Sequence, residues 1–266
     1  MKLGFLGAGK MAEAVLSGVL KSGGVKPQDV TACEQFAERR EFLRGKYGIT
    51  VTPEAADLQG ADVIVLAVKP QDLANALAGV AQWVSARHLV VSIAAGWTLA
   101  RLEAALPAGA RVARVMPNLP ILAGEGMSAY AAGSSASRED AECVRWIFSR
   151  SGVAEEMPEE LFDGVTALSG SGPAFFAYAL RAFAAAAEAR GMPRDVAARF
   201  ALQTLVGTAA YLRETNQTPD DFMRAVASPK GTTEAGLKAL DAADAANVLG
   251  KAIDAAWSRS AELSKA

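Results

Sequence analysis

Gly7-Ala8-Gly9-Lys10-Met11-Ala12 is the stretch that decides the fold at the start of this chain. The apolar run Leu3–Leu6 precedes it and a segment with apolar residues at helical spacing follows it, which predicts a strand, a tight glycine turn and a helix. The glycines permit the turn and let a pyrophosphate approach bare amides at the helix N-terminus, while the small Ala12 lets the helix pack on the strand. We therefore predict a dinucleotide site here, although a glycine turn that binds nothing has the same short pattern.

The composition is that of an ordinary globular protein. Its 266 residues include 27 basic and 29 acidic side chains, a net charge of −2, with no strong run of either sign, so we expect no nucleic-acid or membrane partner. Cys33 and Cys143 match neither a disulfide framework nor a metal site, and a single histidine, His88, excludes a multi-histidine metal centre. We expect His88 at the start of a strand, without a chemical role. The chain opens on a strand with no charged leader, which predicts a cytoplasmic protein.

Short β-rich runs alternate with helical patterns up to Met157. Strands are predicted at Leu3–Leu6, Val30–Cys33, Val63–Val68, Leu89–Ile93 and Val112–Met116. Helices are predicted between them at Met11–Ser22, Phe36–Lys46, Gln71–Val84 and Leu99–Leu106. This order predicts an α/β fold, a Rossmann-like, doubly wound parallel sheet with helices on both faces. The later segments Gly126–Ala131 and Val153–Glu156, with a helix at Ser137–Ser149, extend or flank that sheet.

Alanine-rich helical patterns replace the β-rich runs beyond Met157-Pro158. We therefore divide the chain into a dinucleotide-binding domain, residues 1–158, and an all-helical substrate-binding and dimerisation domain, residues 159–266. The helix that begins at Pro173 is apolar nearly all round, so it must be enclosed on every side. A helical domain of this size cannot enclose it alone, which predicts that two chains share it.

Ligands of a doubly wound sheet bind at the C-terminal ends of its strands. After the second strand, Glu34 is placed to accept hydrogen bonds from the adenosine ribose, although a solvated loop charge is the alternative. Ala67-Val68-Lys69-Pro70 covers the end of the strand at residues 63–68 and the turn after it, which puts the Lys69 cation beside the cofactor. The small residues Ala94-Ala95-Gly96 leave room for a flat ring, and Met116-Pro117-Asn118 brings one amide side chain near the nicotinamide.

Two loops of the helical half are rich in glycine and hydroxyl groups. Ser169-Gly170-Ser171-Gly172-Pro173 opens the long apolar helix, and Ser228-Pro229-Lys230-Gly231-Thr232-Thr233-Glu234 opens another. The second offers free amides, three hydroxyl groups and a favourable helix dipole to a small carboxylate. Ordinary helix capping is the alternative reading of this loop.

Seven motifs in this order, including the glycine turn, Ala67-Val68-Lys69-Pro70-Gln71, Arg114-Val115-Met116-Pro117-Asn118 and both hydroxyl-rich loops, resemble those of the pyrroline-5-carboxylate reductase family. The resemblance covers nearly the whole chain. It implies a Rossmann domain, a helical domain that interlocks two subunits, dimers that assemble further into rings, and reduction of a cyclic imine to proline with NADPH or NADH.

The resemblance also implies roles for individual residues. Ser228 and the backbone amides of Gly231, Thr232 and Thr233 would hold the substrate carboxylate, and the Thr233 hydroxyl would lie near the ring nitrogen as the catalytic group. Glu159 is a weaker candidate for the substrate pocket. The expected cofactor-binding residues are Gly7, Gly9, Lys10, Met11, Glu34, Glu54, Ala67, Val68, Lys69, Pro70, Ala94, Ala95, Met116 and Asn118. No metal is expected.

The chain departs from the family pattern at four places. Leu119 stands where threonine is usual, Lys230 where glycine is usual, and acidic Glu54 where asparagine is frequent. Glu34-Gln35 replaces a pair suited to the 2′-phosphate of NADPH, and Arg39 and Arg40 lie one helical turn further along. A carboxylate repels a 2′-phosphate, so we predict that the enzyme tolerates or prefers NADH.

Other functions are weighed against this one. A β-hydroxyacid dehydrogenase would carry a lysine where Phe176 stands, so its acid–base group is absent. A reductase of the six-membered imine, or a nucleotide-binding regulator without catalysis, stays open.

Overall fold

The computed structural model describes residues 1–265 and contains one mixed sheet followed by helices. The strands are β1 Leu3–Leu6, β2 Val30–Cys33, β3 Thr50–Thr52, β4 Val63–Leu66, β5 Leu89–Ser92, β6 Arg111–Pro117, β7 Gly126–Ala132 and β8 Gly152–Glu156. The helices are α1 Lys10–Lys21, α2 Ala37–Tyr47, α3 Leu73–Val80, α4 Leu99–Ala104, α5 Arg138–Phe148, α6 Phe162–Val165, α7 Gly172–Glu188, α8 Arg194–Thr215, α9 Pro219–Val226, α10 Thr232–Ala242 and α11 Ala245–Lys265.

The strand order is β3-β2-β1-β4-β5-β6-β7-β8. Strands β1 to β6 run parallel. The strands that follow β1 are first added on one side of it and, from β4 onwards, on the other. The C-terminal ends of β1 and β4 are therefore the expected ligand crevice. This confirms the predicted Rossmann-like fold. The later segments extend this sheet: β7 pairs antiparallel with β6, and β8 then pairs parallel with β7.

Both faces of the sheet are covered, as predicted. Alternate side chains such as Phe5 and Val65 pack with α1 and α5 on one face, and Ile64 and Leu66 pack with α3 and α4 on the other. Side chains on neighbouring positions of a strand point to opposite faces, so a strand buried on both sides is apolar throughout. This explains why β4 reads Val-Ile-Val-Leu without interruption.

By packing, the chain forms two compact units: Met1–Ser171 together with the chain from Ala256 onwards, and Gly172–Ala255. Residues just after Pro158 therefore pack with the sheet. Trp257 of α11 lies against Gly164, where an added Cβ would come within 2.5 Å of the ring, and Ser260 donates a hydrogen bond to Asp163 at 2.7 Å. The change from β-rich to alanine-rich sequence at Pro158 does not coincide with this packing boundary after Ser171. The predicted domain division stays a prediction.

His88 is completely buried immediately before β5. Its Nδ1 accepts a hydrogen bond from the Ser85 amide at 3.1 Å, and its Nε2 lies 3.1 Å from the Gln59 carbonyl. Both ring nitrogens are therefore engaged by the backbone around the start of β5. Within residues 1–265, no helix is long and apolar enough to cross a membrane, and the cytoplasmic location stays a prediction.

Candidate functional site

The glycine turn after β1 has the geometry that a pyrophosphate requires. Gly7 adopts a positive φ of +86°, and a Cβ there would lie 2.9 Å from the Ala67 carbonyl and from Val68 Cγ1, so only glycine fits. Gly9 precedes the first residue of α1, and a Cβ on it would meet nothing within 4 Å. No described side chain caps this helix end. Open space beside uncapped helix amides suits a phosphate group, so the residues present fit a dinucleotide.

The two residues after the turn differ in their surroundings. Lys10 is exposed at the start of α1, whereas Met11 is partly buried against the core on that face of the sheet. Lys10 is therefore free to approach a bound anion, while Met11 supports the turn from behind.

The carboxylate of Glu34 lies against the glycine turn. Its Oε2 accepts a hydrogen bond from the Ala8 amide at 3.2 Å, and its Oε1 accepts one from the Phe36 amide at 3.1 Å. Arg39 instead donates to the Ala8 carbonyl at 2.9 Å and pairs with Glu13 of α1 at 2.6 Å. The structure thus brings the predicted pyrophosphate and ribose positions together.

The C-terminal end of β2 is a negatively charged region. Burial raises the pKa of the Cys33 thiol, and the charges of Glu34, Glu54 and Asp57 raise it further, opposed by Arg40. Glu54 is exposed just after β3, where its amide donates to Thr52 Oγ1 at 3.0 Å.

The segment after β4 continues the crevice. The Ala67 amide donates to the Leu6 carbonyl of β1 at 2.8 Å, which joins the two strand ends. Lys69 is exposed and precedes a short 3₁₀ turn, Pro70–Asp72, whose first carbonyl accepts a hydrogen bond from Trp97 Nε1 at 3.1 Å. The predicted cation therefore lies at the rim of the crevice on a fixed backbone.

Small residues follow β5, as the sequence indicates. Ala94 is buried, and its amide donates to Ser92 Oγ at 3.3 Å, while Ala95 is exposed. Gly96 has a φ of +76°, and a Cβ there would lie 3.3 Å from the Leu263 carbonyl. No side chain larger than a methyl group therefore stands at positions 94–96.

Asn118, predicted to lie near the nicotinamide, uses its side chain within the protein. Its Oδ1 accepts a hydrogen bond from the Met127 amide at 2.8 Å, and its Nδ2 donates to Ser169 Oγ at 3.2 Å. Met116 Cε lies against Gly170, in a π-helical turn that joins α6 to α7. Asn118 thus fixes the first hydroxyl-rich loop to the end of β6.

Glu159 accepts two hydrogen bonds through Oε1, from the Leu99 amide at 2.7 Å and from Arg114 Nη1 at 2.8 Å. The guanidinium of Arg114 is buried and lies 4.6 Å from the centroid of the Phe162 ring. Glu159 also borders a cavity of about 350 Å³. The role of Arg114 was missed, and the signal that would have found it is a charged residue inside an apolar strand.

The second hydroxyl-rich loop, residues 228–234, lies in the helical unit. The Gly231 amide donates to the Ser228 carbonyl at 2.9 Å, so this amide closes the turn instead of facing a ligand. A Cβ on Gly231 would overlap Ser228 Oγ, which explains the glycine. Lys230 has a φ of +58°, a left-handed conformation that favours glycine. Glu234 accepts a hydrogen bond from the Lys230 amide and pairs with Lys238.

Helix α10 begins at Thr232 without a side-chain cap among the described residues. Thr232 is exposed and Thr233 is partly buried in the single chain. The amides of its first turn therefore keep the anion-binding capacity that the sequence predicts.

Two family models match the chain. Residues 2–96 match the model described as NADP oxidoreductase, coenzyme F420-dependent, and residues 159–263 match the model described as pyrroline-5-carboxylate reductase dimerisation. The first match covers the glycine turn, Glu34 and the ends of β4 and β5. The second covers Glu159 and the loop at residues 228–234.

Full-length relatives agree with both matches. The chain is 40% identical to the pyrroline-5-carboxylate reductase of Methanosarcina acetivorans over 99% of this chain and 98% of the relative. The solved reductase of Coxiella burnetii superposes with a TM-score of 0.95 at 29% identity, over 100% of this chain and 99% of that one. The Plasmodium falciparum enzyme, solved with NADP bound, gives 0.87 at 26% identity over 99% and 98%. The chain belongs to the pyrroline-5-carboxylate reductase family.

Proposed function

We propose that this oxidoreductase reduces the cyclic imine 1-pyrroline-5-carboxylate to L-proline with NADPH or NADH, the last step of proline biosynthesis. The observation that carries the proposal is the 40% identity to a reductase of this name over nearly the whole of both chains. The turn at Gly7 and the uncapped start of α10 supply the two anion sites that the reaction needs, one for a pyrophosphate and one for a carboxylate.

NAD(P)H supplies a hydride when bound, and the chain holds it in place. The amides at the start of α1 would hold its pyrophosphate, and Glu34 would accept hydrogen bonds from its adenosine ribose. The small residues Ala94 and Ala95 leave space for the flat nicotinamide ring. Because Asn118 Nδ2 and Oδ1 are both engaged within the protein, we assign this residue to positioning the end of β6 and not to direct contact.

The loop at residues 228–234 orients the substrate. The amides of Thr232 and Thr233 and the Ser228 hydroxyl hold the carboxylate, while Gly231 provides the close turn that places them. The Thr233 hydroxyl would lie near the ring nitrogen, where it orients the imine or relays a proton. A protonated imine is already electrophilic, so holding the two rings face to face is the main demand, and no strong acid is needed.

A turnover assay with the five-membered imine tests this proposal. The wild-type protein should oxidise the reduced cofactor and form proline, and no turnover with either cofactor would favour a regulator instead. Faster turnover of the six-membered imine, by kcat/KM, would reassign the substrate. Thr233→Val should lower kcat about 10²-fold, since valine keeps the shape of threonine but lacks the hydroxyl that relays the proton. Thr233→Ser, which keeps the hydroxyl, should recover most of that loss.

The substrate loop has its own test. Ser228→Ala should raise KM about tenfold, because a hydrogen bond to a charged carboxylate is lost. Asp241→Ala, exposed on the same helix but beyond its first turn, is the control and should leave KM unchanged. An equal effect of both substitutions would count against the loop as the carboxylate site.

The enzyme is a homo-oligomer, and we propose that the helical unit forms the dimer. Large apolar side chains of α7 and α8 are exposed in the single chain: Phe176 and Phe183 by 61% and 65%, and Phe200 by 65%. Exposed apolar surface of this extent is typical of an interface. Assembly of dimers into a ring stays a prediction, to be checked by the mass in solution.

A further inference from the structure

We propose that Glu34 makes this enzyme select NADH over NADPH, because its fixed carboxylate occupies the position where the 2′-phosphate of NADPH would lie. The inference rests on the proposed function, which leaves the choice between the two cofactors open.

The position of the Glu34 carboxylate is set by the backbone. Amides of Ala8 and Phe36 donate to its two oxygens, so the side chain is held on both sides of its carboxylate at the C-terminal end of β2. An acidic residue at this place in a Rossmann sheet accepts hydrogen bonds from the ribose hydroxyls of NADH. The carboxylate cannot swing away from a 2′-phosphate without breaking these two hydrogen bonds.

The arginines that would compensate for this charge are engaged elsewhere. Arg40 Nη1 donates to the carbonyls of Glu34 and Gln35 at 3.0 and 2.6 Å, and Arg39 is bound to the Ala8 carbonyl and to Glu13. A 2′-phosphate would have to draw a guanidinium out of these contacts. Neither arginine pairs with the Glu34 carboxylate among the described contacts, so its negative charge faces the ribose position.

The surroundings add to that charge. Glu54 and Asp57, like Glu34, raise the pKa of the Cys33 thiol by their negative charge, and the positive charge of Arg40 lowers it. Three carboxylates therefore lie around the end of β2, where Arg39 and Arg40 are already engaged in the contacts described above. A phosphate monoester, which brings up to two negative charges, is repelled there, whereas a ribose hydroxyl is a neutral hydrogen-bond donor.

Equilibrium binding of the reduced cofactors tests the inference without turnover. The fluorescence of NADH and NADPH is titrated with the full chain and no imine. We expect the wild type to bind NADH at least about tenfold more tightly than NADPH, and Glu34→Gln to reduce that ratio about tenfold by strengthening NADPH binding. Glu41→Gln, on the exposed side of α2, makes the same charge change and should leave the ratio unaltered.

A second variant asks whether Arg40 serves the 2′-phosphate after all. Arg40→Gln should leave the ratio of the two dissociation constants near that of the wild type. A selective loss of NADPH binding in this variant, or tighter wild-type binding of NADPH than of NADH, would overturn the inference. These outcomes are independent of the proposed function, because a protein that binds NADH selectively yet does not reduce the imine would contradict only the function.

Discussion

Replacing Glu159 by alanine should destabilise the fold and leave substrate binding unchanged. The sequence made this carboxylate a weaker candidate for the substrate pocket, and in the structure it joins the start of α4 to the buried guanidinium of Arg114. Glu159→Ala removes both hydrogen bonds at once. It also leaves the buried Arg114 guanidinium, which lies against the Phe162 ring, without its carboxylate.

The size of the effect follows from the exposure of the two partners. The Arg114 side chain is 5% exposed and that of Glu159 is 27% exposed. A fully buried pair costs about 3–5 kcal/mol to break, and an exposed pair about 0–1 kcal/mol. For this intermediate pair we expect a loss of about 2–3 kcal/mol in the free energy of unfolding. Glu160→Ala, next in the chain and exposed, should change it by less than about 0.5 kcal/mol.

Urea unfolding at equal protein concentration measures the loss, since oligomer stability depends on concentration. The double variant Arg114→Met with Glu159→Ala should recover a large part of it, because no unpaired charge then remains. KM for the imine should stay at the wild-type value. Wild-type stability in Glu159→Ala, together with a raised KM, would refute this reasoning and return Glu159 to the substrate pocket.

Three further predictions concern the turn, the α1–α2 contact and the substrate loop. Gly7→Ala should destabilise the protein by about 2 kcal/mol and weaken cofactor titrations, because its φ is positive and the Ala67 carbonyl blocks a Cβ. Burial alone would raise the pKa of Glu13, but hydrogen bonds from Lys46, Tyr47 and Arg39 lower it from 4.5 to about 2. Its stabilisation is therefore complete above pH 4.5 and lost as pH falls towards 2, so the Tm difference between wild type and Glu13→Gln should shrink over that range. Lys230→Gly should stabilise by about 1 kcal/mol in urea unfolding without changing KM, and a raised KM would assign its ammonium to the substrate.

The parallel part of the sheet could be predicted because burial on both faces makes each strand apolar throughout. Leu3–Leu6 and Val30–Cys33 have the bounds that the sequence indicated. Strand β3 was missed because Thr50–Thr52 is only three residues long and lies at the edge, where pairing with β2 defines it more than its own pattern does. The direction of β7 could not be predicted either, since the apolar pattern of a strand reads alike in both directions.

The candidate site was predictable in its backbone features and less so in its side chains. A glycine turn and an uncapped helix start follow from local sequence, so Gly7, Gly9 and the start of α10 could be located. The hydrogen-bond partners of Asn118 and Glu159, which include Ser169 and Arg114 respectively, lie far from them in the chain, so no local sequence pattern connects them. A polar residue near a ligand crevice has the same sequence signature whether it contacts the ligand or fixes the crevice.

The glycine turn that receives the pyrophosphate and the Glu34 carboxylate that receives the ribose are physically linked through one residue, Ala8. The Ala8 amide donates to Glu34 and the Ala8 carbonyl accepts from Arg39, so the residue between the two glycines is held by β2 on one side and α2 on the other. Any change that removes the acceptor oxygens of the Glu34 side chain also frees one side of the pyrophosphate turn. A variant without an acceptor, such as Glu34→Ala, should therefore weaken the binding of both cofactors while it changes their ratio. Glu34→Gln keeps one oxygen for the Ala8 amide, and it separates the effect of charge on cofactor choice from the effect of hydrogen bonding on the turn.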